Sequence, residues 1–305
     1  MSFRLKLVLS FALLAVAAAP LPGQTLQRDP VSGDYILEFT DIDGVHHRLV
    51  VEPRNKISPR MAVAIESSGA AYVYRYALTN ESGPNTKQPI SVFLLPCPRD
   101  DQSLSVEPAP GWHGRVGGVS PFECEFNFGK TWLEPGQSVG DFIVRSAWLP
   151  APADAWVFGA APPAGLPVSV GSVPDTVVHL LKSVQRIAFN SISGRQVHTL
   201  VPARSPATLD DPAAALSVIR SDLDQTCGEL AWITDAGVCR SLGEMLDAAS
   251  EALTRFWAPK WRARRHLEAF LRELEAYQGG QRGKPVDDNA YALLKINAEC
   301  VLSRL

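Results

Sequence analysis

The chain has 305 residues, is 46% hydrophobic and 20% charged, and carries a formal net charge of -3. That composition supports buried cores and excludes a disordered chain, and the length suggests about two domains of ~100–150 residues each. The mixed charge excludes a whole-protein field that would attract nucleic acid.

Arg4 and Lys6 precede an uninterrupted apolar stretch from Leu7 to Ala19. This charge-then-apolar order is that of a secretory signal peptide. At ~1.5 Å per residue the stretch makes about 20 Å of helix, short of an ~30 Å hydrocarbon core. Residues 1–23 are therefore read as a leader, cut after Ala19 or after Gly23, and no membrane span is expected once it is removed. A leader retained as an anchor is the alternative.

Residues 24–150 show short alternating runs broken by Gly, Pro, Asn and Asp, the pattern of an antiparallel, immunoglobulin-like β-sandwich. Tyr35–Thr40 and 45–51 flank Asp43-Gly44 and should pair as a tight hairpin with positive φ at both central positions. In AYVYRYALTN, Tyr72, Tyr74, Tyr76 and Leu78 fall on one strand face, a stripe read as core rather than as a sugar platform. Further strands are expected at 90–95, 104–106, 122–128 and 142–147, and the glycines at 111, 114, 117 and 118 read as a loop. Between 151 and 207 the composition shifts to Pro, Gly, Ala and Ser, read as an interdomain segment in which 177–187 forms a short helix or a strand.

From 208 to 305 the period becomes helical, and the expectation is a four-helix bundle-like module. Asp211 caps a first helix opened by Pro212, with Leu216, Ile219, Leu223, Cys227 and Leu230 on one stripe. The second carries Val238, Leu242, Leu246, Ala249, Leu253 and Phe256. The third, opened by Pro259 and ended by Gly279-Gly280, carries Ala263, Leu267, Phe270, Leu271 and Leu274. The fourth is opened by Pro285 and carries Ala290, Leu294, Asn297 and Val301.

Export would place Cys97, Cys124, Cys227, Cys239 and Cys300 where disulfides persist. Cys97 and Cys124 lie at strands and enclose roughly 27 residues, a loop whose closure is worth about 2–4 kcal/mol. Cys227 and Cys239 are equidistant from the turn between the first two helices, so an antiparallel hairpin brings them level. Cys300 is left as the free thiol, with a bridge to Cys227 or Cys239 as the alternative. No Cys-x-x-Cys pair or finger spacing calls for zinc, and no phosphate-cradling loop calls for a nucleotide, so no metal or cofactor is expected.

The stretches LAWITDAGVCRSLGEMLDAASEAL, RHLEAFLRELEAYQG and NAYALLKINAECVLSRL resemble the FIMAH-type helical module at the C-terminus of many secreted bacterial proteins. The likeness covers 211–305 and implies an appendage to exported proteins with no catalytic role. Its three cysteines and the segment RFWAPKWRARR depart from the pattern. Tyr72, Tyr74, Tyr76 and Asn80, then Pro110-Gly111-Trp112, Pro135-Gly136, Gly140, Phe142, Ser146 and Leu149-Pro150, are more loosely similar to secreted bacterial β-sandwich domains, which implies no substrate.

The motifs that announce a hydrolase, G-x-S-x-G, H-E-x-x-H and S-x-x-K in a plausible setting, are missing. Paired carboxylates such as Asp100-Asp101, Asp210-Asp211 and Asp287-Asp288 sit where acidic side chains cap helices and turns. One concentrated charge remains: Lys260, Arg262, Arg264 and Arg265, with Trp257 and Trp261, a surface suited to an anionic partner. Its competing reading is a solvated face in which Glu268 pairs with Arg264, Arg265 and Arg272. The functional expectation is a non-enzymatic, exported interaction or structural protein whose partner is a protein or glycan at the cell envelope and not nucleic acid. Its rival is a secreted hydrolase with a site in the loops around Trp112, His113, Asp100 and Asp101.

Overall fold

The computed structural model describes residues 24–69, 71–83, 86, 88–117, 123–160, 173–189, 194–254, 260–278 and 285–305. The leader read over 1–23, Trp257 and the two proposed helix boundaries at Pro259 and Gly279-Gly280 lie outside them. The chain divides into two compact units, one from the described parts of 1–52 and 163–188, the other from those of 53–162 and 189–305.

The first unit is an antiparallel sheet of β1 (Gln24–Arg28), β2 (Tyr35–Thr40) and β3 (His46–Val51), in that order, with one helix, α1 (Asp175–Phe189). Leu37, Phe39 and Val51 alternate onto one face of the sheet and are buried with Val173, Val177, Leu181 and Val184, which recur at helical spacing. That spacing resolves 177–187 as helix. The turn after β2 is looser than the hairpin expected: Gly44 takes positive φ but Asp43 does not, and the Asp41 carboxylate instead accepts from the amides of Asp43 and Val45.

The second unit holds two sheets that form a β-sandwich. One runs β4 (Pro59–Ser68), β5 (Ala71–Asn80), β10 (Ser138–Ser146) and β7 (Ser105–Glu107). The other runs β12 (Arg195–Arg204), β11 (Leu149–Gly159), β6 (Ile90–Pro96), β9 (Glu123–Phe128) and β8 (Trp112–Val116). Their inner faces meet in an aromatic cluster in which Phe142 of β10 stands edge-on to Phe93, Trp112 and Phe126, with ring centroids 4.8, 5.1 and 5.3 Å apart. The tyrosine stripe is core: Tyr74 and Tyr76 are fully buried, and their hydroxyls donate to the carbonyls of Trp148 (2.7 Å) and Leu200 (2.9 Å). Trp112 and Gly114, read as loop, belong to β8; a Cβ at Gly114 would meet the Phe126 ring at 3.2 Å, so a larger residue there would make the ring shift.

The division expected from composition is corrected here. The segment 151–207 is no linker, because it contributes β11, α1 and β12. Proline hid the strands. Pro150 and Pro152 of β11 lie where only β12 pairs with it, since β6 joins β11 from Trp156 onward, and a strand with one free side tolerates residues that cannot donate. The boundary at 24 also moves, because 24–52 belongs to the first unit and not to the sandwich.

After a 3-10 turn (Pro206–Leu209) come α2 (Pro212–Cys227), α3 (Ala236–Thr254), α4 (Lys260–Gln278) and α5 (Asp288–Leu302). α2 packs on α3, α3 on α4, α4 on α5, and α5 back on α2. Asp211 caps α2 through the Ala213 amide, as its position before Pro212 leads one to expect. Pro285 does not open α5. Asp287 caps it, accepting from the amides of Asn289 and Ala290, while Val286 forms a β-bridge with Ile233. Sandwich and helices share one continuous hydrophobic core, so they do not form separate domains.

Candidate cleft and basic surface

β4 is an edge strand: among the described residues it pairs only with β5. Its register with β5 is unbroken from Pro59 to Ser68. Beside it opens a cleft of about 1130 Å³, lined on the far side by α5 through Tyr291, Ala292, Lys295, Ile296 and Glu299. Every residue from Pro59 to Ile65 lines this cleft, odd and even alike, and Arg75, Ala77 and Gly140 line it too, so it borders both the edge of β4 and the outer face of its sheet. Small residues on the outer side, Ala62, Ala64, Ala77 and Gly140, keep the wall shallow.

The charges around the cleft are mostly tied down. Arg60 is bonded to Glu81, and Arg75 lies 3.6 Å from Glu66. Lys295 donates to the Tyr291 hydroxyl (3.0 Å) and to Glu275 (3.2 Å), and these bonds hold its ammonium well above the usual lysine range. His198 meets Asp154 across the β11–β12 pair at 2.6 Å.

A buried polar cluster ties β12, α2 and α5 together. Arg204 of β12 donates from both guanidinium nitrogens to Asp222 of α2, at 2.7 and 2.8 Å. Asn297 of α5 donates to the same carboxylate (3.3 Å) and to the Pro150 carbonyl (3.2 Å). Burial pushes the Asp222 carboxyl up, and the bonds from Arg204 and Asn297 oppose that shift. Asn297, which falls on the apolar stripe of the last helix, thus bonds both a backbone carbonyl and an ion pair.

Cys97–Cys124 and Cys227–Cys239 are disulfides, and Cys300 is free and half-buried. The first bridge joins neighbouring strands of one sheet, since Cys124 sits in β9 opposite Leu95 of β6. The second fastens the end of α2 to the start of α3. Burial pushes the Cys300 thiol up.

Among the described residues no hydrogen bond or ion pair joins the residues of the hydrolase alternative to one another. Trp112 is in the core. Asp101 accepts from Ser103, Ser146 and the Ala147 amide; burial pushes its carboxyl up, but these bonds outweigh that and hold it below the usual range. Among the described residues nothing joins His113 to Asp100 or Asp101. Asn80 is buried and donates to the carbonyls of Gln88 and Leu133, both at 3.1 Å.

Lys260, Trp261, Arg262, Arg264 and Arg265 are all exposed at the start of α4. The pairing with Glu268 does not form: among the described residues Lys260, Arg262, Arg265, Glu268 and Arg272 make no ion pair. Arg264 instead donates to the Leu302 carbonyl (3.3 Å), and Arg262 lies 5.6 Å from the Trp261 ring centre. The spacing that suggested Glu268 pairs was correct for a helix, but each of these long side chains gains little from an exposed pair.

No protein-family model matches the chain, so the FIMAH-type likeness rests on its residues alone. No curated protein matches it either. Among solved structures, the chain is similar to an uncharacterized protein from Nocardia farcinica whose fold is described as immunoglobulin-like. The identity is 18%, the match covers 37% of this chain and 93% of that one, and the TM-score is 0.27. Among the described residues no helix is long and apolar enough to cross a membrane, and no group of histidine, cysteine and carboxylate side chains is placed to hold a metal ion.

Proposed function

We propose that this is an exported, non-enzymatic binding protein whose cleft accepts an extended segment of a partner protein along β4. The carrying observation is the unpaired backbone edge of a ten-residue strand facing about 1130 Å³ of open space. Edge strands are ordinarily blunted by bulges, by shortness or by a covering element. β4 is long and unbulged, and α5 and β12 approach it over only part of its length. An added strand needs ~4.8 Å of lateral room and supplies main-chain hydrogen bonds, while the wall opposite reads its side chains.

Export is supported by the charge-then-apolar order of 1–23 and by two disulfides. The reading of α2–α5 as a four-helix, FIMAH-type appendage supports a structural rather than catalytic role for that part. A protein partner is favoured over a glycan because a free strand edge offers backbone donors and acceptors in peptide register.

A displayed library of random peptides, panned on the purified chain, tests the proposal. Selected peptides should lose about tenfold or more in affinity against Ala64→Arg or Ala292→Arg, which fill the cleft from opposite walls. Retention of no peptide, or peptides indifferent to both substitutions, would refute it.

A further inference from the structure

We infer that the start of α4 is a second, separate binding surface, which docks the protein peripherally on an anionic bilayer. Lys260, Arg262, Arg264 and Arg265 all fall in the first six residues of α4, and no acidic residue stands in its first turn. A helix start carries partial positive charge, so cations there oppose the macrodipole and acidic residues are the stabilising choice. The arrangement therefore weakens the helix, and among the described residues no carboxylate neutralises Lys260, Arg262 or Arg265.

The geometry around this charge points outward. Ala263, Leu267, Phe270 and Leu274 are the packed face of α4. At ~100° per residue, Trp261, Arg265, Glu268 and Arg272 lie together on the opposite side, with Arg262 and Arg264 flanking them to either hand, so cations outnumber the single carboxylate there. Trp261 is 54% exposed, the most exposed large aromatic side chain among the described residues.

An amphipathic indole ringed by cations is the composition of an interfacial anchor, in which tryptophan enters the headgroup layer and the cations meet lipid phosphates. None of these residues lines the cleft beside β4. A free glycan is ordinarily held in a concavity. An exposed aromatic with cations on both flanks suits a charged plane, and that favours the bilayer.

The test is co-sedimentation of the purified chain, as its host processes it, with two vesicle preparations. One is phosphatidylcholine alone, the other phosphatidylcholine and phosphatidylglycerol in equal parts. Pelleting is expected with the anionic vesicles only and should fall as salt rises. Each cation near an anionic surface contributes roughly fivefold in partitioning, so Arg262→Gln with Arg265→Gln should lower it about 25-fold. Trp261→Ala should weaken what binding persists at high salt. Glutamine preserves helix propensity, and the double variant should melt at or above the wild-type temperature because charge opposing the dipole is removed. That rise separates lost docking from lost folding. Equal pelleting with both vesicle types, unchanged pelleting of the double variant, or tighter capture by soluble dextran sulfate than by anionic vesicles overturns the inference.

Discussion

Replacing Asp222 with alanine leaves the Arg204 guanidinium buried without its counter-charge. The two side chains are only 11% and 6% exposed, and they share two short bonds of 2.7 and 2.8 Å. Asn297 at the same time loses its bond to that carboxylate, although it keeps the Pro150 carbonyl. Removing one partner of a buried pair costs about 3–5 kcal/mol, a large share of the ~5–15 kcal/mol that holds a folded chain. With a urea slope of ~3 kcal/mol/M, the unfolding midpoint should fall by roughly 1–1.7 M. The decisive companion is the double variant Arg204→Met with Asp222→Leu, which removes both charges and keeps the volume apolar. It should recover most of the loss, since a buried pair replaced by packed hydrophobic groups is often neutral or stabilising. Urea unfolding followed by far-ultraviolet circular dichroism gives all three values. A loss below about 1 kcal/mol for Asp222→Ala, or a double variant as unstable as the single, would refute the idea that an isolated buried charge is what the pair prevents.

Three further outcomes follow from the same structure. Replacing Cys227 and Cys239 by alanine opens a 12-residue separation and should cost about 2.8 kcal/mol, against about 3.6 kcal/mol for Cys97 and Cys124, which span 27; chemical unfolding of the two variants orders them. Tyr76→Phe removes one donor from the Leu200 carbonyl and should cost about 1–3 kcal/mol, read from the thermal midpoint. Asp101 and Glu125 are held below their ordinary values of 3.8 and 4.5, so the unfolded chain binds more protons there. Their contribution is therefore complete above those values and is lost as pH falls through the lower folded ones. Asp101→Asn should flatten this acid limb, and urea midpoints from about pH 6 down to about pH 2 that keep the wild-type slope would contradict the assignment.

Much of the local structure could be read directly. The stripes Leu216, Ile219 and Leu223, then Val238, Leu242 and Leu246, then Ala263, Leu267 and Phe270, are buried as their period demands, because a helix with one apolar side has only one way to hide it. Tyr74, Tyr76 and Leu78 likewise alternate into the sandwich. β11 and β12 were obscured by Pro150, Pro152 and Pro202, since proline signals a break unless one knows which strand edge has no partner. β4 was obscured for a different reason: in PRMAVAIESS the alanines dilute an alternation of Met61, Val63 and Ile65 that is real.

By itself the amino-acid order determined which residues seek burial, where helices are capped, and which cysteines of one hairpin can meet. These depend on neighbours a few positions apart, within the reach of one turn of helix or one pair of strands. Only the tertiary structure decided that β1, β2 and β3 share a core with α1, that sandwich and helices share another, and that β4 faces α5 across an open cleft. Those contacts join segments far apart in the chain, and no local period encodes which distant apolar face will cover another.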